Sequence, residues 1–312
     1  MNRVARSLAR AKQTCVLASL ACLTYGAAPA RADDAPYPRV ALTETPIQID
    51  LGRAYGLFSP SPAVLRAVSI QPAAKPSKTA LLFFVGWPGI LWLPENPMPN
   101  RFIEISKRNT FYAITHLGFF PSQDIAFVLV DCPTDQWGSE QRTPDPQGCS
   151  DSYRSSPQHA DDVKKLIAHL RRTQGIEQVY VMGHSYGSVS SRWLAIRLGN
   201  EIQGSIHSAS MSQAAGARFP DYGSSVSRMD MSQASAPWVY LHNQQDQCRN
   251  TAYAPNLAVA GPKMITVRGG SPEGDPCGGG HYHSYRGREL EALQAVARWI
   301  RTGNIVSPVG EP

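Results

Sequence analysis

Residues 178–198 decide the fold and read QVYVMGHSYGSVSSRWLAIRL. The start of this stretch has the pattern of a short strand, and the part from residue 186 onward has the pattern of a helix. Between them stands Gly183-His184-Ser185-Tyr186-Gly187, a G-x-S-x-G sequence. A strand-to-helix turn this tight leaves no room for side chains two positions before and two positions after the serine. We therefore predict that Gly183 and Gly187 permit a sharp turn, which presents Ser185 at the C-terminal edge of a sheet.

Short apolar segments and helical segments alternate on both sides of this stretch. Residues 79–85 (TALLFFV) and 124–131 (DIAFVLVD) are nearly continuous apolar runs, as expected of strands buried on both faces. Further strands are predicted at residues 46–51, 63–70, 178–182, 205–210, 238–242 and 264–267. Helices are predicted at residues 101–117, 158–172, 186–198 and 289–301. This alternation predicts an α/β fold, a mostly parallel sheet with helices on both faces.

Three polar or glycine-rich stretches interrupt the pattern. Residues 137–157 and 269–280 are predicted to be loops, the first held at Cys149. Residues 211–236 separate two strands and could contain one or two helices, but are too few for a lid domain. No linker separates a second core, so residues 33–312 are predicted to form a single domain.

The N-terminus has the composition of a secretory signal. Five of the 30 basic residues and none of the 24 acidic residues lie within residues 1–32, so the remainder carries a net charge of only +1. A basic segment, an apolar stretch at residues 14–28, and the small residues Ala30 and Ala32 predict cleavage before Asp33. An amphipathic helix, or lipidation at Cys22, are the alternatives. The remainder has no basic stripe for nucleic acid, and the apolar runs are too short for a membrane span.

Export predicts disulfide bonds, and the cysteines agree with it. Removal of the signal leaves four cysteines, Cys132, Cys149, Cys248 and Cys277, which is an even number. Three pairings are possible. We favour Cys132–Cys149 and Cys248–Cys277, because each of these pairs closes a short loop within one region.

A serine nucleophile needs a base, and the base needs an acid that orients it. On a strand–turn–helix scaffold of this kind, the acid follows the serine in the chain and the histidine comes last. Asp246 is the first carboxylate after the strand at 238–242, and only His281 and His283 follow it. We favour Asp246 and His283, with Asp275 as an alternative acid and His281 as an alternative base. The two histidines could instead bind a metal, but no convincing third ligand stands near them in the sequence.

Two backbone N–H groups are needed to stabilise an oxyanion. The N–H of Tyr186, directly after the serine, is the first candidate. The second candidate comes from the turn Val85-Gly86-Trp87-Pro88-Gly89, which follows the buried strand at 79–85. Pro88 has no N–H. Trp87 is therefore the expected donor, and a plain turn without this role is the alternative.

These motifs together resemble the α/β-hydrolase superfamily, from about residue 63 to residue 305. The resemblance rests on the Gly183–Gly187 motif, on Asp246 and His283, and on a turn that is similar to the family's H-G-x-P-G loop with Val85 in place of histidine. The segment 277–289 also resembles secreted bacterial members that have a cysteine shortly before the catalytic histidine. The resemblance implies hydrolysis through a covalent acyl-enzyme, with no cofactor and no metal.

The sequence is compatible with three functions. The first is an exported serine carboxylesterase that acts on a small-molecule ester. The second is a serine peptidase or amidase, although no group that would fix a peptide terminus is visible. The third is an exported binding protein without catalysis, which the presence of Ser185, Asp246 and His283 in the required order disfavours.

Overall fold

The computed structural model describes residues 37–95, 112–137, 148–212 and 230–311. The predicted signal with Cys22, most of the predicted helix at 101–117 and most of the loop at 211–236 lie outside these ranges. Contacts group Pro36–Pro312 into one compact unit.

The described residues contain a sheet of eight strands, in the order β1-β2-β4-β3-β5-β6-β7-β8. The strands are β1 (Leu42–Tyr55), β2 (Ser61–Pro72), β3 (Thr79–Phe84), β4 (Ile125–Val130), β5 (Gln178–His184), β6 (Gly204–Ser208), β7 (Trp238–Asn243) and β8 (Met264–Val267). In the part of the sheet ordered β4-β3-β5-β6-β7-β8, every neighbouring pair is parallel. Strand β1 pairs antiparallel with β2, and β2 pairs antiparallel with β4. The carboxyl ends of the parallel strands therefore meet at one edge of the sheet.

The sheet is covered on both faces, as the apolar runs predict. Along β3, Leu81 and Phe83 belong to one hydrophobic cluster, while Leu82 and Phe84 belong to the cluster on the opposite face. All four side chains are at most 3% exposed. Successive residues of a strand point to opposite faces, so a central strand with helices on both sides must be apolar throughout.

The described helices are α1 (Tyr112–Thr115), α2 (Phe119–Ser122), α3 (Asp151–Arg154), α4 (Pro157–Gln174), α5 (Gly187–Arg197), α6 (Tyr253–Ala260) and α7 (Glu289–Thr302). Helix α4 begins at Pro157 because the Ser156 side chain accepts the N–H of His159, and it ends at Gln174 because the next residue, Gly175, has a φ of 65°. The apolar faces of α4 and α7 lie in the two opposite clusters. The predicted α/β class is thus confirmed.

Helix α2 lies just beyond the predicted helix at 101–117, and two other short helices also differ from the prediction. Helix α3 lies inside the stretch 137–157, which was expected to be a loop, because the Ser150 side chain accepts the N–H of Tyr153 and closes a single turn. Helix α6 buries only Asn256 and Ala260, so it has no apolar repeat by which it could be recognised. Within the described ranges, no helix is long and apolar enough to cross a membrane.

Candidate active site

The chain turns sharply at Ser185, between β5 and α5. Ser185 has a φ of 53°, in the left-handed region that L residues seldom adopt. A Cβ atom on Gly183 would lie 2.1 Å from the carbonyl oxygen of Gly187, and one on Gly187 would lie 2.0 Å from that of Phe84. Both obstacles are backbone atoms, which cannot rotate away. The structure therefore gives the physical reason for glycine at both positions, as the sequence predicts.

The turn leaves Ser185 accessible in an otherwise buried segment. Its N–H donates to the carbonyl of Ser208 at 2.9 Å, which ties the turn to the end of β6. Ser185 is half-buried, whereas all the other residues from 181 to 190 are buried. The side chain stands at the N-terminal end of α5, where the aligned peptide dipoles of the helix favour negative charge.

Asp246 and His283 are brought together from two different loops. Asp246 follows β7, and His283 lies in a short 3₁₀ turn (Tyr282–Ser284) ahead of α7. The Nδ1 atom of His283 is 3.1 Å from Oδ2 of Asp246, and their side chains are 3% and 0% exposed. A buried pair of this kind holds an imidazole in one orientation.

The carboxylate of Asp246 has three further partners. His242 Nε2 lies 3.1 Å from Oδ2, Thr251 Oγ1 donates to Oδ2 at 2.9 Å, and the N–H of Cys248 donates to Oδ1 at 2.9 Å. Burial on its own would raise the pKa of Asp246, but the hydrogen bonds from His242 and His283 outweigh it and hold the pKa well below its usual range. Asp246 is therefore ionised at neutral pH.

This ionisation fixes the protons on the two histidines. An ionised carboxylate only accepts hydrogen bonds, so Nδ1 of His283 and Nε2 of His242 must both carry hydrogen. For neutral imidazoles, Nε2 of His283 then keeps its lone pair and can accept a proton. The contact of His242 with Asp246 had not been predicted. Thr251, whose Oγ1 also lies 3.1 Å from Nδ1 of His283, had not been predicted either.

His184 connects this pair to the serine turn. The His184 and His283 rings have centroids 5.0 Å apart, so His283 lies beside the residue that immediately precedes Ser185. His184 is fully buried, and Nδ1 of its ring lies 3.1 Å from Oγ of Ser208. Burial, followed by the nearby His283, lowers the pKa of His184 well below its ordinary value, so this ring stays neutral.

The turn after β3 lies against the start of α5. The N–H of Gly89 donates to the carbonyl of Gly86 at 2.6 Å, which closes the turn around Trp87. The Trp87 ring is half-buried, and its centroid is 5.8 Å from that of Tyr186. The two residues expected to supply N–H groups to an oxyanion thus lie side by side.

Both disulfide bonds favoured from the sequence are present, Cys132–Cys149 and Cys248–Cys277. The first joins the residues after β4 to the segment before α3. The second joins the loop that carries Asp246 to the loop that carries His283.

The alternative acid and the alternative base have other surroundings. Asp275 accepts the N–H of Cys277 at 2.8 Å within its own loop. The His281 ring packs edge-on against Tyr282, with centroids 5.2 Å apart. In the part of the chain that the structure describes, no group of three or more His, Cys, Asp or Glu side chains could hold a metal ion.

A family model for the alpha/beta hydrolase fold matches residues 141–249, about a third of the chain. Together with the sheet and the serine turn, this match shows that the chain has the α/β-hydrolase fold. No curated protein sequence matches the chain.

Several solved structures are similar to the chain at low identity. Est1E from Butyrivibrio proteoclasticus with bound ferulic acid is 13% identical, with a TM-score of 0.49, over 77% of this chain and 95% of that one. A serine hydrolase without a lid from Xanthomonas campestris is 16% identical, with a TM-score of 0.44, over 87% and 99%. An alpha-beta serine hydrolase homologue from Coxiella burnetii is 14% identical, with a TM-score of 0.46, over 76% and 91%.

Proposed function

We propose that the chain is an exported serine hydrolase, and specifically a carboxylesterase, in which Ser185, His283 and Asp246 act as a catalytic triad. One observation carries this proposal. The 3.1 Å contact between Nδ1 of His283 and the ionised Asp246 is buried beside His184, the residue before the half-buried Ser185. A serine on a strained turn, an oriented imidazole and a buried carboxylate are the parts that nucleophilic acyl transfer requires.

In the acylation step, Oγ of Ser185 attacks the ester carbonyl carbon while Nε2 of His283 accepts the hydroxyl proton. The imidazolium that forms is stabilised by Asp246, which keeps its negative charge. The backbone N–H groups of Tyr186 and Trp87 donate to the oxyanion. The bond between the acyl carbon and the alcohol oxygen then breaks, and the alcohol leaves with the proton from His283.

Deacylation repeats these steps with water. His283 takes a proton from a water molecule as its oxygen attacks the acyl carbon, and the same N–H groups bind the second oxyanion. The acid leaves as the Ser185 oxygen recovers the proton. The residues of this chain account for every proton transfer, with the substrate and water as the other reactants.

The proposal includes export and a small-molecule substrate. Residues 1–32 would be removed as a signal, which leaves residues 33–312 as one domain. The two disulfide bonds support this, since such bonds persist in oxidising compartments. Sequencing of the N-terminus of the periplasmic or secreted protein should begin at Asp33.

The direct test is labelling by a fluorophosphonate, which reacts with activated serines whatever the natural substrate. The wild type and a Ser232→Ala control should label, and Ser185→Ala should not. Hydrolysis of p-nitrophenyl acetate should fall by about 10⁴ to 10⁶ in Ser185→Ala. More than a tenth of wild-type activity in that variant would remove Ser185 as the nucleophile.

A second substrate type separates an ester from an amide. The wild type should hydrolyse p-nitrophenyl acetate far faster than an aminoacyl-p-nitroanilide. A faster rate on the anilide would assign the same triad to a peptidase or amidase. Absence of both activities together with absence of labelling would favour a binding protein.

A further inference from the structure

A buried arginine lies behind the two residues whose N–H groups are assigned to the oxyanion. Arg154 is the last residue of α3 and is only 3% exposed. Its Nη2 atom donates to the carbonyl of Gly89 at 2.8 Å, and its Nη1 atom donates to Oγ of Ser190 at 2.7 Å. Gly89 ends the turn that contains Trp87, and Ser190 lies on α5. One guanidinium group thus joins the turn after β3 to the helix that follows Ser185.

The same guanidinium also contacts Tyr186 directly. Its central carbon lies 4.5 Å from the centroid of the Tyr186 ring, the geometry of a cation–π interaction. The Tyr186 hydroxyl in turn donates to the carbonyl of Cys149. The N–H of Cys149 donates to the carbonyl of Pro88 at 2.9 Å, back on the turn. Arg154 and Cys149 therefore both link the Trp87 turn to Tyr186.

Gly89 explains why the turn accepts this side chain. Its φ is 77°, and a Cβ atom there would lie 2.1 Å from Nη2 of Arg154. The backbone conformation at this position therefore favours glycine, and a Cβ atom there would displace the guanidinium. The sequence contains Gly89 in a recognisable turn but gives no sign of the arginine, which lies 65 residues later.

We propose that Arg154 is a positioning residue that fixes the separation between the backbone N–H groups of Trp87 and Tyr186, and so holds both donors ready for the oxyanion. This inference rests on the proposed function. Arg154 does not touch the substrate in this scheme. It acts through the Gly89 carbonyl and the Tyr186 ring, and it matters most in the transition state, when the carbonyl oxygen becomes charged.

The test uses Arg154→Met and a matched control, Arg197→Met. Arg197 has similar chemistry, because its guanidinium lies 4.6 Å from the centroid of the Trp193 ring and donates to the carbonyl of Ser155 at 2.8 Å. Neither of these two contacts of Arg197 involves the Trp87 turn or Tyr186. Arg154→Met should lower kcat about 100-fold with KM changed less than threefold, while Arg197→Met should stay within twofold of the wild type.

A purely structural role would not affect the next measurement. A trifluoromethyl ketone binds serine hydrolases as a hemiketal oxyanion, so its inhibition constant reports the two N–H donors. In Arg154→Met this constant should weaken by the same factor as kcat/KM, at a temperature well below the melting temperature. If Arg154→Met does not fold, Arg154→Lys, which keeps the charge and one donor, should show smaller losses in the same proportion.

The outcomes are separable. Loss of kcat without parallel loss of inhibitor affinity, or activity equal to that of Arg197→Met, would overturn the role of Arg154 while Ser185 still labels. If wild-type Ser185 does not react with a fluorophosphonate, the proposed function fails first and the role of Arg154 fails with it.

Discussion

Gly187→Ala is the substitution whose effect can be worked out most directly from the structure. The new Cβ atom would lie 2.0 Å from the carbonyl oxygen of Phe84 and 2.8 Å from that of Val85, where ordinary contact begins at 3.4 Å. Since all these obstacles are backbone, the start of α5 must move away from the end of β3 by about 1.4 Å. That movement displaces the N–H of Tyr186, the adjacent residue.

Two magnitudes follow from this displacement. Overpacking of a core typically costs about 1–3 kcal/mol in the free energy of unfolding. For a domain of this size that corresponds to a melting temperature lower by roughly 2–12 °C. A misplacement of about 1 Å at a catalytic group can cost about 100-fold in rate, and so can the loss of one oxyanion donor. We therefore expect kcat for p-nitrophenyl acetate to fall at least 100-fold.

Gly118→Ala is the matched control. Gly118 has a φ of −79°, and a Cβ atom there would come no closer than 3.7 Å to any neighbour. The control should keep the activity and melting temperature of the wild type. Melting is followed by circular dichroism. The value of kcat is measured about 20 °C below the lower of the two melting temperatures, so that both variants are folded during the assay. A Gly187→Ala protein as stable and as active as the control would refute the steric reasoning.

Three further predictions follow from the same site and its surroundings. His283→Ala should lower kcat for p-nitrophenyl acetate about as much as removal of the serine, and His281→Ala should cost less than tenfold; the reverse order would transfer the base to His281. The double variant Cys248→Ser/Cys277→Ser should lose kcat below its melting temperature while near-ultraviolet circular dichroism stays native, and alkylation of either wild-type cysteine without reductant would contradict it. Burial raises the pKa of Asp131 to about 6, against hydrogen bonds from three N–H groups that lower it. The folded state therefore binds this proton more tightly than the unfolded state. As the pH rises from about 4 to about 6, the wild type should lose about 3 kcal/mol of unfolding free energy relative to Asp131→Asn, as measured by urea titration. Parallel curves for the two proteins would show that Asp131 does not titrate in this range.

The serine turn could be predicted from sequence because its requirements are local. The backbone atoms that would clash with a Cβ at Gly183 or Gly187 lie within a few residues of the turn or at the end of the neighbouring strand β3. The strand and the helix that flank the turn also have recognisable patterns of their own. Asp246 and His283 could be predicted as candidates because the carboxyl ends of parallel strands share one edge of the sheet. The order of the residues in the chain, together with their positions after the predicted strands, left only two candidates for the acid and two for the base.

The remaining partners could not be predicted because their contacts depend on tertiary geometry alone. His242 lies inside a buried strand, where a histidine has no distinguishing pattern, and only the turn of the chain after β7 brings it to Asp246. Thr251 lies five residues after Asp246, in a 3₁₀ turn (Arg249–Thr251) without a motif. Arg154 belongs to a helix of four residues, too short for any periodicity to be visible.

The two disulfide bonds lie where the sheet gives the least support. The loops that carry the proposed acid, base and oxyanion groups begin where the strands end, so ladder hydrogen bonds no longer fix them. Cys248–Cys277 ties the Asp246 loop to the His283 loop, and Cys132–Cys149 ties β4 to the segment whose carbonyl accepts from Tyr186. A shift of a fraction of an ångström in these loops would change hydrogen-bond geometry without unfolding the core. Reduction should therefore impair the proposed catalysis before it unfolds the protein, since the apolar clusters on the two faces of the sheet contain none of the four cysteines.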